Sequence, residues 1–347
     1  MNIFEAKITA QNVRAIWEAN ENVAPFLGEV FFPNTKQVGL DLNLIKGKSG
    51  APVALVSANW DTNVLFRDRI GFNELHAELP YFKEAYQVSE KLRQKIITSS
   101  EQYRAPLFSE VFNDINDLLL GADVTAERMR MQLLGTGTIS IQENGVDKQY
   151  DYGFDNAKQF KTEAKLWNAE GATPLKSLAD QIENAENVTK SRPQYAVMGK
   201  AVAKSLFYSP EVDKYFASVT PVVNYATPSQ RKAYVEATLE IKIFVSDKKY
   251  VKARDFKNRT EISYYPEDRY TLISTLDLGE TVYGTTPEEI DLLGGGNDQV
   301  LSCEVLSNGV AITTWRIVDP VNVNTKVSEV VVPSCPNIDK IYIVKVL

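Results

Sequence analysis

Histidine and cysteine are nearly absent from this sequence, which limits the chemistry that its side chains can perform. The 347 residues include one histidine, His76, and two cysteines, Cys303 and Cys335. A lone histidine cannot build a multi-histidine metal site, and two thiols are too few for a disulfide framework. We therefore predict no metal site and no cofactor, a surface or interface position for His76, and free thiols in a reducing compartment. A Cys303–Cys335 bridge is the less favoured alternative.

Long apolar runs and low-complexity tracts are missing as well. No stretch approaches the ~20 apolar residues of a membrane-spanning helix, and residues 1–20 lack the uninterrupted apolar core of a secretion signal. We therefore expect a cytosolic protein without membrane contact. Apolar residues make up 44% of the chain, with only 18 glycines and 15 prolines. This composition predicts an ordered protein, and the length predicts more than one lobe, because single cores stop growing near ~250–300 residues.

The sequence also has no excess of positive charge, since its formal net charge is −7. Binding to nucleic acid generally depends on clustered lysine and arginine side chains that displace counterions from the phosphates. The charge therefore disfavours a protein that reads DNA, whereas it is compatible with a container that only encloses DNA.

Catalytic motifs are absent or incomplete. Gly47-Lys48-Ser49 resembles the end of a phosphate-binding loop, but Leu42 stands where that loop needs a glycine, and Pro52 blocks the helix that should follow. Gly294-Gly295-Gly296 follows no strand at the spacing of a dinucleotide site. Carboxylates that could pair for acid–base chemistry are scattered along the chain: Asp114, Asp117, Glu267, Asp268, Glu288 and Glu289. We predict no catalytic residue and a protein that is not an enzyme.

One stretch, residues 106–137, carries the clearest pattern in the chain. Apolar residues recur there at steps of three and four, the spacing of one helix face: Leu107, Val111, Ile115, Leu118 and Ala122, with Phe108, Phe112 and Leu119 widening the stripe. Pro106 precedes the pattern and Gly135 and Gly137 end it, as expected for the two ends of a helix. The pattern predicts a helix of roughly 45 Å that is continuous, kinks at Gly121, or restarts with Thr125 as its cap.

The residues after this helix are similar to a known family. Thr138–Ile141 is strand-like, Glu143-Asn144-Gly145 is a turn, and a second strand ends in Tyr150-Asp151-Tyr152-Gly153. A long helix, Gly-Thr-Gly and a hairpin ending in Asp-Tyr-Gly together resemble the lambda-type major head protein of tailed phages. Leu278-Gly279, followed by Val282-Tyr283-Gly284-Thr285-Thr286-Pro287-Glu288-Glu289, extends this resemblance in the same order along the chain.

The resemblance implies an α+β fold, the phage major capsid fold of the Hong Kong 97 bacteriophage type. That fold has an N-terminal arm, an extended β-hairpin loop, a long spine helix, a peripheral domain and an axial domain. On this sequence the expected parts are 1–35 for the arm, 36–88 for the loop, 89–170 for the peripheral domain with the spine helix, and 171–347 for the axial domain. Part of 263–300 is expected to return to the peripheral domain.

The arm and the loop are expected to contact neighbouring subunits. Val38–Leu44 and Val53–Val56 alternate around a polar tip at residues 46–52, which predicts a long hairpin with little core of its own. The predicted contact residues are Trp17, Leu40, Leu42, Leu44, Lys46, Lys48, Trp60 and Phe66. Some relatives form an isopeptide cross-link from a loop lysine, which nominates Lys46 or Lys48, but a solvated hairpin tip without a cross-link is the favoured interpretation.

The predicted function is that of a structural major capsid protein that self-assembles into an icosahedral phage head enclosing double-stranded DNA. The implied partners are other copies of the chain in pentamers and hexamers, a scaffold, the portal and a decoration protein. The protein would belong to the virion and assemble in the host cytoplasm. Two alternatives remain: a nanocompartment shell of the same fold, and a soluble enzyme with a peripheral hairpin.

Overall fold

The computed structural model describes residues 7–19, 25–46, 73–143, 145–219, 226–251, 260–291, 300–319 and 321–347. The α-helices are α1 Ala10–Ala19, α2 Glu90–Thr98, α3 Glu101–Thr136, α4 Asn156–Gln159, α5 Pro174–Thr189, α6 Lys200–Phe207, α7 Pro210–Val219, α8 Pro228–Leu239 and α9 Pro287–Asp291. The first strands are β1 Asn34–Lys36, β2 Asp41–Lys46, β3 Asn73–Glu78, β4 Tyr81–Val88, β5 Thr138–Glu143, β6 Val146–Asp151, β7 Phe160–Thr162, β8 Tyr195–Gly199 and β9 Lys242–Ser246. The later strands are β10 Lys249–Val251, β11 Glu261–Ser263, β12 Arg269–Ile273, β13 Glu280–Tyr283, β14 Val300–Val305, β15 Ala311–Ile317, β16 Asn322–Ser334 and β17 Ile341–Lys345.

The chain forms two compact units, each built from separate segments. The first unit combines Met1–Leu42, Ala77–Arg130 and Glu280–Ser334. The second unit combines Asn43–His76, Met131–Gly279 and Cys335–Leu347. The chain length predicts more than one lobe, and the segments show that each unit is assembled from residues far apart in sequence.

Helix α3 is the long helix that the apolar spacing predicts, and it is continuous. The predicted start at Pro106 is wrong, because the helix begins at Glu101 and contains Pro106. The first turn closes through the Ser100 carbonyl, which accepts from the Tyr103 and Arg104 amides at 3.0 and 3.2 Å, so the proline removes only a later bond. Thr125 does not cap a new helix, since its hydroxyl donates to the Gly121 carbonyl at 2.8 Å.

The buried face of α3 lies along one side of the predicted stripe. Phe108, Val111, Ile115 and Leu119 are buried, whereas Leu107 and Leu118 are half-buried. The centre of the buried face is therefore rotated slightly about the helix axis, toward the side that Phe108 and Leu119 add to the stripe. Val111 and Ile115 hold the positions that the spacing assigns to them.

The first unit has a six-stranded sheet in which β16 is the central strand. The order is β1-β13-β16-β15-β14, and β4 also pairs with β16. Residues Val323–Val330 of β16 pair with β4, and residues Val331–Ser334 pair with β13, so two strands share one edge of β16. Helix α1 lies on β14, where the Ala10 amide donates to the Ser302 hydroxyl at 2.7 Å.

The second unit has a five-stranded sheet of order β7-β17-β12-β8-β9, with β8–β9 and β17–β7 parallel. Its core includes Leu178 from α5, Leu206 from α6 and Val235 from α8, packed with Leu272 of the sheet. The same unit contains the predicted hairpin, in which β5 pairs with β6 from Thr138–Asp151 to Glu143–Val146. The sequence also predicts a buried strand at Tyr195–Gly199 and a helix from Lys200 to about Phe207, and both are confirmed as β8 and α6.

Candidate assembly interface

The sequence motif at residues 284–289 contacts two segments of the first unit, one before and one after residues 43–78. We call residues 36–42 and 79–81 the loop base, because the chain leaves it after Leu42 and returns to it at Leu79. The Leu79 amide donates to the Leu40 carbonyl at 2.9 Å, which joins the two limbs directly. The Gly39 amide donates a hydrogen bond to the Thr285 hydroxyl at 3.0 Å. The Thr285 amide donates one to the Gly39 carbonyl, also at 3.0 Å.

Two glycines permit this close approach. Gly39 adopts a φ of +109°, a conformation that side-chain-bearing residues rarely adopt. A Cβ atom at Gly284 would lie 2.6 Å from Leu79 Cδ1 and 2.8 Å from the Gly39 carbonyl oxygen. Gly284 and Thr285 therefore contact both limbs, the first limb through the Gly39 backbone and the second through the Leu79 side chain.

Charged side chains complete the loop base. Lys36 Nζ lies 2.9 Å from the Gly284 carbonyl and 2.7 Å from Glu289 Oε2. The Tyr81 hydroxyl donates to Glu288 Oε1 at 2.6 Å, and the Lys326 ammonium donates to the same oxygen. The consecutive glutamates of the motif thus hold opposite limbs, Glu289 through Lys36 and Glu288 through Tyr81.

Burial and hydrogen bonding shift the pKa values of this pair in opposite directions. Burial, followed by the bond to the Glu288 carboxylate, raises the pKa of Tyr81, so its hydroxyl stays a donor. Burial opposes ionisation of Glu288, but the bonds from Lys326 and Tyr81 outweigh it and lower the pKa of this carboxyl. Glu288 is therefore ionised at neutral pH, and Tyr81 of the loop base contacts a largely buried Glu288–Lys326 ion pair.

We expect Tyr81→Phe to lower the free energy of unfolding by about 1.5 kcal/mol, because the ionised Glu288 loses a hydrogen-bond donor. Tyr103→Phe is the matched control, since the Tyr103 side chain is 64% exposed, and it should change stability by less than about 0.5 kcal/mol. Urea unfolding followed by circular dichroism measures both. Equal stability of the two variants would mean that the Tyr81–Glu288 bond does not hold the limb.

The predicted contact residues fall into three groups. Leu42 is only 2% exposed, so it is buried by its own chain and does not need a neighbour to cover it. Leu40 is 45% exposed, Trp17 is half-buried on α1, and Leu44 and Lys46 belong to β2. Lys48, Trp60 and Phe66 lie outside the described residues. Apart from Leu42, these residues stay predicted contacts.

Three exposed apolar or aromatic side chains are not among the predicted contacts. Val38 of the loop base is 91% exposed, beside Leu40 in sequence. Ile97 at the end of α2 and Tyr103 at the start of α3 are also exposed, and Arg104 links the two helices through a bond to the Ile97 carbonyl at 3.1 Å. In the sequence, the alternation of Val38 with Leu40 is the pattern that could have identified Val38 as a further contact residue. Exposed apolar and aromatic side chains of this kind are typical of protein–protein contacts.

The carboxylates considered for catalysis do not converge in the described part of the chain. Asp114 is hydrogen-bonded to Tyr86, and burial is the main cause that raises the pKa of this aspartate. Asp117 is exposed on α3, Glu267 accepts from Ser263 at 2.7 Å, and Asp268 pairs with Arg269 at 2.7 Å. His76 belongs to β3, and neither Cys303 nor Cys335 forms a disulfide bond among the described residues. Apart from the exposed aspartate, each described carboxylate thus has a local structural partner.

The described residues offer neither a metal site nor a membrane span. No three histidine, cysteine or acidic side chains among them are placed together to hold a metal ion. None of the helices in those ranges is both long and apolar enough to cross a bilayer.

A cavity of about 540 Å³ in the second unit is lined by residues that include Trp167, Lys204 and Tyr208.

Comparison with known proteins gives a match across nearly the whole chain. The model of the family described as phage major capsid protein E matches residues 9–346. A crystal structure from Escherichia coli CFT073, described as a prophage capsid protein, has a TM-score of 0.61 at 14% identity and covers 98% of this chain and 99% of its own. A phage-related protein from Bordetella bronchiseptica RB50 has a TM-score of 0.58 at 10% identity and covers 97% of this chain and 96% of its own. A search of the curated proteins found no match.

Proposed function

The chain belongs to the phage major capsid protein E family, and from this premise we propose that many copies assemble through their loop regions into a closed icosahedral shell around double-stranded DNA. Membership confirms the predicted identity as a phage major capsid protein, a structural component of the virion. The α+β phage major capsid fold is confirmed as well. The narrower lambda type stays a prediction, because the family description does not name it.

The loop base is the observation that supports assembly through residues 43–76. Its two limbs are joined to each other and to the 284–289 motif by backbone bonds and by the Lys36–Glu289 and Tyr81–Glu288 contacts. A base fixed by these contacts sets where the chain enters and leaves residues 43–76. Val38 and Leu40, exposed at this base, are suited to be covered by a second copy.

The division of the chain into parts follows from the same proposal. Residues 1–35 serve as the arm, 36–88 as the extended loop, 89–170 as the peripheral domain and 171–347 as the axial domain, with part of 263–300 returning to the peripheral domain. Pentamers and hexamers form by contacts between copies of this one chain. A scaffold, a portal and a decoration protein are the further partners, and assembly takes place in the host cytoplasm without catalytic activity of the chain.

Assembly is tested by electron microscopy and light scattering over a concentration series. The chain is purified once after expression alone and once after co-expression with a scaffold protein. Closed shells, or pentamers and hexamers that grow into shells, are the expected result. A monomer or dimer under both conditions would contradict self-assembly. Nuclease-protected double-stranded DNA inside shells formed during infection separates a phage head from a nanocompartment, which would hold an enzyme.

Deletion of residues 46–52 is expected to leave the subunit soluble and folded but to raise the concentration needed for assembly at least about tenfold, equivalent to ~1.4 kcal/mol per subunit. The matched control replaces the same residues by glycine and serine, which keeps the length of the chain segment and removes its larger side chains. Light scattering measures the assembly threshold of both variants. Normal shells from the deletion variant would argue against the extended-loop assignment but not against the capsid function.

A further inference from the structure

A buried cluster of charged groups joins four segments of the first unit. Helix α3 contributes Asp123, Glu127 and Arg130, segment 25–36 contributes Glu29 and Asn34, β13 contributes Thr281 and Tyr283, and β16 contributes Glu329. The predictions from sequence do not include this cluster, and the loop base does not use it. It lies where segment 25–36 meets the long helix.

Arg130 is the cation of this cluster. Its side chain is 1% exposed, its Nε donates to the Thr281 hydroxyl at 2.8 Å, and its Nη2 donates to Asn34 Oδ1. Its Nη1 lies 3.5 Å from carboxylate oxygens of both Glu29 and Glu127. One guanidinium therefore faces an excess of carboxyl groups.

Glu127 connects the helix to segment 25–36. Its two carboxylate oxygens lie 2.9 and 3.1 Å from the Gly28 amide, which donates to them. There is no room for a side chain at Gly28, since a Cβ atom there would lie 2.4 Å from Glu127 Oε2 and 2.8 Å from Arg130 Cβ. The contact between the segment and the helix is therefore made directly between backbone and carboxyl group.

Glu329 is the carboxyl group of the cluster that is buried without a hydrogen-bond partner among the described residues. Its side chain is 2% exposed, and the lack of such a partner applies to both carboxyl oxygens. The Asp123 carboxyl interacts with it unfavourably and Arg130 favourably. An ionised carboxylate without partners in such a place costs several kcal/mol, so the neutral form is preferred.

Burial raises the pKa values of three carboxyl groups in the cluster. Burial, reinforced by Asp123, raises the pKa of Glu329 well above its ordinary value. Burial raises the pKa of Glu127 to about 7, against the opposing effects of the Gly28 amide and Arg130. Burial and the Glu29 charge raise the pKa of Asp123 to about 6. Neighbouring sites of this kind titrate together, so the cluster gains and loses protons as a group.

We propose that this cluster is a proton-controlled clasp, which holds segment 25–36 on α3 while the carboxyl groups of Asp123, Glu127 and Glu329 carry protons and loosens the segment when they are lost. When these three groups are ionised, they and Glu29 oppose the single charge of Arg130 in a largely buried site. Moving segment 25–36 then relieves the repulsion that Glu29 exerts on Asp123 and Glu127, and this relief must exceed the loss of the bond from the Gly28 amide to Glu127. The clasp works within one subunit and does not depend on shell assembly.

The direction of the pH effect follows from proton linkage. A carboxyl group with a raised pKa binds its proton more tightly in the folded state than in the unfolded state. Its stabilising contribution is complete below the ordinary pKa near ~4.5 and is lost as pH rises through the folded-state pKa. For Asp123 and Glu127 those folded-state pKa values are about 6 and about 7. The clasp is therefore closed at pH 5 and open more often at pH 8.

Hydrogen–deuterium exchange of the full chain at pH 5 and pH 8, corrected for intrinsic exchange rates, tests the clasp. We expect the opening constant of segment 25–36 to rise at least about tenfold between these pH values, since one pKa unit corresponds to a factor of ten. In the double variant Asp123→Asn/Glu127→Gln, which keeps an acceptor for the Gly28 amide but removes both groups that titrate between these pH values, the rise should fall below about threefold. Asp117→Asn, an exposed change on the same helix, should keep the wild-type rise.

Protection of segment 25–36 that does not change with pH in the wild type would overturn the proposal, as would an undiminished rise in the double variant. Infrared spectroscopy of the wild type gives a second measurement that needs no variant. A protonated-carboxyl band that loses intensity between pH 6 and pH 8 is expected, because ordinary surface carboxyl groups are already ionised at pH 6. The absence of this band at pH 6 would equally overturn the proposal.

Discussion

Replacement of Arg130 by methionine is expected to lower the free energy of unfolding by about 3–5 kcal/mol at pH 7, the usual cost of removing one partner from a buried ionic cluster. Methionine keeps most of the side-chain volume, so the loss reports charge and hydrogen bonding rather than a cavity. The Thr281 hydroxyl and Asn34 lose their donor, and the surrounding carboxyl groups lose their cation. Urea unfolding monitored by tryptophan fluorescence measures the change.

Arg14→Met is the control for this prediction. Arg14 pairs with Glu18 at 2.8 Å and Glu304 at 3.6 Å, but its side chain is 40% exposed. Exposed ion pairs contribute little to stability because water and salt screen them, so the control should lose far less than Arg130→Met. Adding Glu127→Gln to Arg130→Met should recover part of the loss, because it removes one uncompensated negative charge. Equal losses in the two arginine variants would show that Arg130 does not hold the cluster together.

Gly137→Ala is expected to lower the free energy of unfolding by about 2–4 kcal/mol. Gly137 ends α3 with a φ of +77°, which is unfavourable for alanine. An added Cβ atom would lie 2.3 Å from Phe154 Cγ, so the ring or the backbone must move. Such overpacking adds about 1–3 kcal/mol to the backbone term. Thermal and urea unfolding of the variant measure the combined effect.

Gly145→Ala is the control that separates the cost of a positive φ from the cost of the clash with Phe154. Gly145, in the β5–β6 hairpin, has a φ of +80°, but no atom lies within 4 Å of the position that an added Cβ atom would take. It should therefore lose only about 1 kcal/mol. Similar losses at Gly137 and Gly145 would mean that the ring of Phe154 does not close over the end of the helix.

Local spacing is enough to predict the long helix, the β5–β6 hairpin, α2 and the β8–α6 pair, because neighbouring residues determine these elements. Boundaries are harder to predict. The sequence places the start of the long helix at Pro106 instead of Glu101, since it does not show that Ser100 closes the first turn. The alternation that begins at Leu239 predicts a strand there, whereas this residue is the last of α8 and β9 begins at Lys242.

Contacts between distant segments could not be predicted in the same way. Leu42 alternates with Leu40 and Leu44, which suggests that a neighbour must cover it, but its own chain buries it. The charged cluster around Arg130 draws its members from four separate segments. One signal is present: Glu127 and Arg130 interrupt an otherwise apolar end of α3, in which Ala126 and Met129 are buried. Charged residues within a buried helix stripe indicate a hidden partner elsewhere in the chain.

The interleaving of the two units has a consequence for synthesis on the ribosome. The sheet of the first unit is complete only when β13 and β16 have joined β1 and β4, and the sheet of the second unit needs β17, which lies between β7 and β12. Neither unit can therefore close on a nascent chain that lacks its C-terminal segment. Pairings over such long sequence separations slow folding. We expect the surfaces for joining other copies to mature only on released, full-length chains, so that truncated products are not incorporated.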